Sequence, residues 1–198
     1  MQLIRTLRFR RGRLPHWEVE GGRYFITARL ADSLPREAVL RLQEIHLKLQ
    51  KIVPKSAQFY ALQRRHFLTI EKYLDAGSGS CLLQNRFAAE LVVRELAGLA
   101  EWFADVPHYS IMPNHWHAIL IPQTGCRHTL TEMMKRVKGR SGRSLRQMER
   151  THGAIWQREW FDRWLRDDGE YDKTVRYIRE NPVKAGLVAR WEDHPWTR

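Results

Sequence analysis

The sequence is poor in cysteine. Among 198 residues only Cys81 and Cys126 occur, outside any CxxC or Cys/His spacing, which argues against a disulfide framework or a cysteine-based zinc module and for free thiols in a reducing compartment. Long apolar runs are missing as well. The best stretch, Ala118 to Ile121, stops at Pro122, far short of the roughly 20 residues a membrane helix needs. The opening segment MQLIRTLRFRRGRLPH has arginine every few residues and no apolar core, so it reads as neither signal peptide nor cleaved leader. The expected location is cytoplasmic. No internal repeat, low-complexity tract or linker divides the chain, and a single domain over residues 1–198 is expected.

Acidic charge is also short: 22 Asp plus Glu stand against 34 Lys plus Arg, a net charge of +12. With 43% apolar residues and eight Trp, the chain is a packed globule rather than a disordered tail. An excess of positive charge points to polyanions, nucleic acid first and acidic membrane surface second, with solubility charge as the ordinary alternative. Clustering favours nucleic acid. Arg8, Arg10, Arg11 and Arg13 sit in a basic arm within residues 1–20, and Lys135, Arg136, Lys138, Arg140, Arg143 and Arg146 fall in one short stretch. Neither run has the interspersed acids of a merely solvated face.

Residues 23–30 read as a first strand. Ser33 and Pro35 open an amphipathic helix with Ala38, Leu42, Ile45, Leu49 and Ile52 on one face, closed by Pro54. The signal weakens from 55 to 80, where a short helix or extended piece is expected at 67–74. Asn85 reads as the cap of a helix burying Ala88, Leu91, Val92, Leu96, Leu99 and Phe103. Residues 107–112 and 115–121 form a hairpin about Pro113-Asn114, with Asn tolerating the left-handed conformation. Thr129 and Glu132 make a capping box for a helix burying Leu130, Met133, Met134 and Val137, weakened midway by Gly139, Ser141 and Gly142. Residues 170–181 form a last helix stopped by Pro182. The mixture, without βαβ alternation, indicates an α/β sandwich on a largely antiparallel sheet.

His115-Trp116-His117 places two imidazoles on one face of a strand, a pair suited to a divalent ion. By chance about 0.4 such pairs are expected, so alone they read more readily as packed or surface histidines. Tyr177 and Asn181 lie four apart on one helix face. Alone, they fit a core-boundary Tyr and a C-terminal cap.

Met112-Pro-Asn-His-Trp-His-Ala-Ile-Leu120, followed by Tyr177-Ile-Arg-Glu-Asn-Pro-Val-Lys-Ala-Gly-Leu187, resembles the bacterial single-tyrosine transposases with a His-hydrophobic-His (HUH) motif, and most nearly their domesticated branch, the REP-associated tyrosine transposases. Supporting segments are Arg11 to His16 with Gly22 to Thr27, Trp156-Gln157 with Phe161 to Arg163, Arg166 to Asp168, and Trp191 with His194 to Trp196, so the similarity spans nearly the whole chain. Trp116 is larger than the aliphatic residue usual between the histidines. Trp160 stands where some relatives carry another Tyr.

The resemblance implies a ferredoxin-like or RRM-like antiparallel sheet with helices packed on one face, here enlarged by helix in residues 35–105. It implies that His115, His117 and Asn181 ligate a divalent ion, Mg or Mn, and that Tyr177 attacks a phosphate of single-stranded hairpin DNA to give a 5′-phosphotyrosine and a free 3′ hydroxyl, the chemistry of a transposase-like nuclease and strand transferase. Arg10, Arg11, Arg13 and the cations from Lys135 to Arg146 are expected to hold phosphates. Trp17, Trp156, Trp160 and Trp164 are stacking candidates, at least half of them expected in the core. The expected state is a monomer or homodimer, DNA-associated in a bacterial cytoplasm, with no membrane partner. Two other classes fit the composition: a non-cutting binder of DNA or RNA hairpins, which has no need of the Tyr, Asn and His set, and a metal-dependent small-molecule hydrolase, which wants carboxylate ligands that the segments flanking the histidines lack.

Overall fold

The computed structural model describes residues 5–11, 15–53 and 56–198. In chain order, strands β1 (Thr6–Arg11), β2 (Pro15–Val19) and β3 (Arg23–Arg29) precede helices α1 (Arg36–Lys51), α2 (Ala57–Asp75) and α3 (Arg86–Ala97); strands β4 (Ala104–Ile111) and β5 (His115–Pro122), helix α4 (Leu130–Glu149), strand β6 (Phe161–Leu165) and helix α5 (Asp168–Lys184) follow. The main sheet has the order β4-β5-β3-β6, and every neighbouring pair is antiparallel. The expected mixed fold on an antiparallel sheet is therefore the one observed.

Alternation along the strands divides the chemistry of the two faces. Tyr24, Ile26 and Ala28 of β3 with Trp116, Ala118 and Leu120 of β5 join the core formed with α3 and α4. The odd-numbered residues, among them Phe25 and Ile119, pack with Ile178, Val175 and Tyr177 of α5 and Phe67 of α2. Helices thus cover both faces, whereas the resemblance implied only one: α5 and α2 carry apolar stripes that the second face must bury. The α1–α2 hairpin adds its own small cores, Leu34, Ala38, Leu42, Ile70 and Leu74 in one and Ile45, Leu49 and Phe59 in the other. No helix of the described residues is long and apolar enough to cross a membrane.

Several expected elements change on folding. The weak segment after 55 is one long helix, α2, capped by Ser56, whose hydroxyl accepts from Phe59 N–H. Its buried positions include His66 and Glu71, so polar residues occupy the phase where an apolar stripe was sought. Pro54 lies outside the described residues, and α1 ends at Lys51. Residues of the expected basic arm form the antiparallel hairpin β1–β2. Asn114 does not enter the left-handed region; its side chain is buried and bonded instead. Phe103 is exposed and has φ +55°. Helix α5 runs two residues past Pro182, because a proline in the last turn removes one hydrogen bond and the remaining carbonyls are capped from Ala185, Gly186 and Leu187.

Helix α4 is not interrupted at its small residues, and Thr129 and Glu132 do form its capping box. Ser141 turns its hydroxyl onto the Val137 carbonyl and accepts from Trp156 Nε1 at 3.0 Å, while a Cβ on Gly142 would lie 3.2 Å from Trp156 Cδ1. The small side chains seat the Trp156 ring. Gly139, by contrast, has open space where a Cβ would be. Gly139→Ala should therefore stabilise the protein by about 0.5–1 kcal/mol through helix propensity, and Gly142→Leu should destabilise it by about 1–3 kcal/mol through overpacking. Urea midpoints of the two variants moving in the same direction would contradict this seating.

Candidate active site

Strand β5 pairs with β3 so that His117 stands opposite Thr27 and His115 opposite Arg29. Both imidazoles are fully buried on the α5 side of the sheet, and burial holds each ring neutral, with a pKa pushed down to about 3. Each outer nitrogen is tied back. Asn114 Nδ2 donates to the Leu74 and Ser78 carbonyls, which leaves its Oδ1 to accept from His115 Nδ1 at 2.7 Å. His117 Nδ1 meets the Thr27 hydroxyl at 2.8 Å. With its proton on Nδ1, His115 presents the Nε2 lone pair inward, where it lies 3.0 Å from His117 Nε2.

A third donor arrives from α2. The Glu71 carboxylate lies 3.4 Å from His117 Nε2, and ligand atoms of Glu71, His115 and His117 are all within 4.8 Å of one another. Burial pushes the Glu71 carboxyl up to about 7, against an opposing pull from His115. Its Oε2 accepts a hydrogen bond from the Tyr177 hydroxyl, and its Oε1 is buried without a partner. Tyr177 comes from α5, which is started by Asp167 accepting from Glu170 N–H. The phenol ring sits 5.4 Å from the His117 ring and 5.7 Å from that of Phe25. One turn later Asn181 is buried, with Oδ1 unpartnered.

The donor set fits a divalent cation. Two inward imidazole nitrogens 3.0 Å apart and a carboxylate with an oxygen to spare, all within 4.8 Å of one another, are ligand types that a divalent cation takes together. The tied-back Nδ1 atoms are the outer hydrogen bonds that orient metal-binding histidines. Glu71 corrects the expectation that no carboxylate stands near the histidines, which considered only sequence neighbours. It also makes the set anionic when ionised rather than neutral.

Other expected site residues are placed elsewhere. Helix α4 packs on the Trp116 side of the sheet, so its cations lie across the sheet from the histidines. Arg136 pairs with Glu101 at 2.6 Å, Arg140 with Glu95 at 3.1 Å, and Lys138 Nζ donates to the Gln157 and Arg158 carbonyls. Lys135, Arg143 and Arg146 have no ion-pair partner among the described residues. Arg13 and the side chains of Arg10 and Arg11 lie outside the described residues. Trp156 and Trp160 are buried, and Trp17 and Trp164 are half-buried.

Reading the sequence missed Glu71, Asn114 and Thr27. Only Asn114 carries a local signal, its place immediately before the paired histidines. Glu71 is recognisable solely as a charged residue in the buried phase of a helix, which requires the helix to be known first.

Residues 89–181 match the family model of the IS200-like transposases, and over that segment the resemblance to the single-tyrosine transposases is borne out. No curated protein matches the chain significantly. Among solved structures, a REP-associated tyrosine transposase bound to a REP hairpin is similar at a TM-score of 0.52 and 17% identity, over 96% of this chain and 81% of that one; at that identity it supports the fold. A protein described as a transposase from Deinococcus radiodurans aligns at 12% identity and a TM-score of 0.34, over 87% of this chain and 97% of that one.

Burial of neutral histidines couples stability to pH. His66, lowered to about 4 by burial, joins His115 and His117 in taking up a proton readily only when unfolded. Their contribution is complete above the unfolded value near 6.5 and is lost as pH falls below it. Glu71 acts oppositely, since its raised value makes the folded state the better proton acceptor between about 4.5 and 7. For these four groups the net difference grows to the order of two protons by pH 5, so their contribution to metal-free stability should fall by roughly 2–3 kcal/mol per pH unit near that pH. Urea melts in chelator at a series of pH values measure this, and His66→Leu should flatten the slope by about one proton. A slope that is the same in His66→Leu as in the parent would refute neutral burial of that ring.

Proposed function

We propose that the chain works as one HUH transposase-like unit that cuts and rejoins single-stranded hairpin DNA through Tyr177. The observation that carries this reading is the convergence, within one chain, of the Tyr177 hydroxyl on Glu71 beside His115 and His117. His115, His117 and Glu71 would hold a divalent ion, Mg or Mn, with Asn181 as a further oxygen donor. When bound, such an ion neutralises phosphate oxygens and orients the phosphorus for in-line displacement.

A phenol is almost wholly protonated at neutral pH, about one part in a thousand being phenolate. Glu71 supplies the local acceptor. Its Oε2 already accepts the hydrogen bond of the Tyr177 hydroxyl, so the carboxylate stands in place to take the tyrosyl proton. The tyrosyl oxygen then bonds to phosphorus, the bond from phosphorus to the 3′ oxygen breaks, and that oxygen leaves as a 3′ hydroxyl after taking a proton. The product is a 5′-phosphotyrosine whose bond energy is kept, so a second 3′ hydroxyl can reverse the step. That suits strand transfer better than hydrolysis. The packing of Tyr177 against Phe25 and Phe67 limits its rotamers and keeps bulk water from the phosphotyrosine.

The hairpin seen with the REP-associated relative supports hairpin DNA as the substrate class. Lys135, Arg143 and Arg146, with Arg10, Arg11 and Arg13 of the N-terminal segment, would hold its phosphates and add salt dependence without sequence preference.

Incubation with labelled hairpin DNA and Mn should leave a denaturation-resistant adduct that Tyr177→Phe abolishes without loss of binding. Glu71→Gln should slow adduct formation by about 10²–10⁴-fold, and excess chelator should stop it. An adduct that survives Tyr177→Phe, or maps to Tyr171, overturns the assignment; binding with no adduct under any condition makes the chain a non-cutting hairpin binder.

A further inference from the structure

Two segments that carry part of the family resemblance, Arg11 to His16 and Phe161 to Arg163, lie outside the Tyr177 network, and the structure joins them to each other. Strands β1 and β2 form a two-stranded sheet of their own, separate from the four-stranded one, and an isolated hairpin of that size is marginal in water. Side-chain contacts from β2 hold it to the rest of the protein. Val19 exchanges hydrogen bonds with the Tyr24 hydroxyl, at 2.7 Å through its N–H and 3.0 Å through its carbonyl. Glu18 Oε2 accepts from Leu130 N–H at the start of α4, at 3.1 Å. His16 Nδ1 donates to the carboxylate of Asp162 on β6, and its ring stacks on Trp160 at 4.5 Å.

The His16 joint differs from the others in placing charge inside the protein. Both side chains of the pair are only 2% exposed. Asp162 also receives the Trp17 backbone N–H, and the second ring nitrogen of His16, Nε2, lies 3.6 Å from Glu159. An imidazole with a carboxylate at each nitrogen is satisfied at both only as the imidazolium, because the neutral ring donates from one nitrogen alone. Burial by itself lowers the His16 pKa, but Asp162 and Glu159 outweigh it and hold the ring above its ordinary value of 6.5. The other charged groups facing the joint are Glu18 of β2, with Arg8 of β1 beside it, and Lys138 of α4, which faces Glu159. A buried carboxylate whose partner has lost its charge is strongly unfavourable, so the contact between β2 and β6 depends on the proton of His16.

We propose that His16 is a positioning residue for nucleic acid. As the imidazolium between Asp162 and Glu159 it docks the β1–β2 hairpin on the β6 edge of the sheet, and on losing its proton it releases the hairpin. Docking is complete below the ordinary imidazole value and is lost as pH rises through the raised one. Strand β1 carries Arg10 and Arg11, so the consequence for DNA rests on the reading that these arginines hold phosphates of the hairpin substrate. Docked, they reach a backbone already ordered; released, they must be ordered on binding.

The test compares the full chain with His16→Gln and Glu159→Gln. Trypsin at neutral pH reads docking without DNA: His16→Gln should be cut within the N-terminal hairpin about tenfold faster than the parent, since cleavage follows the population of the open form. Binding of a labelled hairpin oligonucleotide is followed by fluorescence anisotropy in chelator from pH 6.5 to 9 at several salt concentrations. Parent affinity should fall across this range, and the slope of log affinity against log salt should flatten by roughly 0.7–0.9 for each arginine released. His16→Gln, which keeps a hydrogen bond and lacks the charge, should bind throughout as the parent does at the alkaline end. The His16 ring protons, followed by NMR, should titrate above 6.5 in the parent and at lower pH in Glu159→Gln, with the fall in affinity moving in step. Lys138, whose pKa is about 8, also faces Glu159, and the ring signal separates its titration from that of His16. Should His16→Gln fail to fold, the shift in Glu159→Gln carries the test. Equal trypsin rates in parent and His16→Gln, or an affinity profile that does not follow the His16 ring, overturn the positioning role while leaving the Tyr177 adduct intact. Faster trypsin cleavage in His16→Gln with unchanged DNA binding upholds the joint and overturns the reading that the N-terminal arginines hold phosphates, and with it the role of His16 toward DNA.

Discussion

The site depends on the two-residue period of β5 held in register against β3. Trp116 is fully buried between the histidines and projects into the core with Ala118 and Leu120, so His115, His117 and Ile119 must face the other way. A slip of one residue would put two imidazoles into the apolar core and an indole at the ligand cluster. The register is pinned on both sides, by β3 and by β4, and at the turn by Met112 N–H on the His115 carbonyl and Leu30 N–H on that of Asn114. The large residue between the histidines, where the resemblance implied an aliphatic one, is thus the anchor of their geometry.

That anchoring lets the protein bury polar groups that would otherwise stay wet. Neutral histidines and a carboxyl raised toward neutrality share one small volume, and one turn beyond Tyr177 an amide oxygen is buried with no partner. Each is costly in isolation. The outer hydrogen bonds from Asn114 and Thr27 recover part of that cost and fix which nitrogen points inward, where the two Nε2 atoms lie 3.0 Å apart. Tyr177 completes the set by donating to Glu71, so nucleophile, proton acceptor and ligand cluster form one connected network rather than three neighbouring residues. Local departures from polar satisfaction of this kind are where function is expected in an otherwise consistent fold.

Much of this was legible in the sequence, and the parts that were not share a cause. The histidine pair, the hairpin, the capped helix α4 and the spacing of Tyr177 and Asn181 are all local patterns, and the structure contains each. Glu71 was invisible because its meaning is entirely tertiary: it lies 44 residues before His115 in the chain, on a helix whose buried phase it shares with His66, so the hydrophobic periodicity that reveals helices is broken by the two residues that matter. The uninterrupted course of α4 was hidden for the opposite reason. Gly142 and Ser141 look like helix weakeners locally, yet they create the seat for Trp156, and packing outweighs propensity.

The split between the faces constrains how one nucleic acid can use both the basic helix and the site. The unpaired cations of α4 and the Tyr177 network lie on opposite sides of the sheet, so a strand touching both must pass one of its edges. At the β4 edge the backbone is already paired with residues 196–198, through the Ser110–Thr197 bridge and the bonds of Tyr109 and Ile111. The other edge is flanked by the loop before β6, and that loop is built from both sides: Lys138 of α4 holds its Gln157 and Arg158 carbonyls, while Glu159, Trp160 and Phe161 line a cleft next to the histidines. Lys138 thereby spends its charge on positioning the loop rather than on phosphate. Burial also lowers its pKa to about 8, which weakens its charge further as a long-range attractor. The basic stretch therefore divides its labour by exposure, with Lys135 and Arg143 free to meet a backbone and Lys138 shaping the edge around which that backbone would turn.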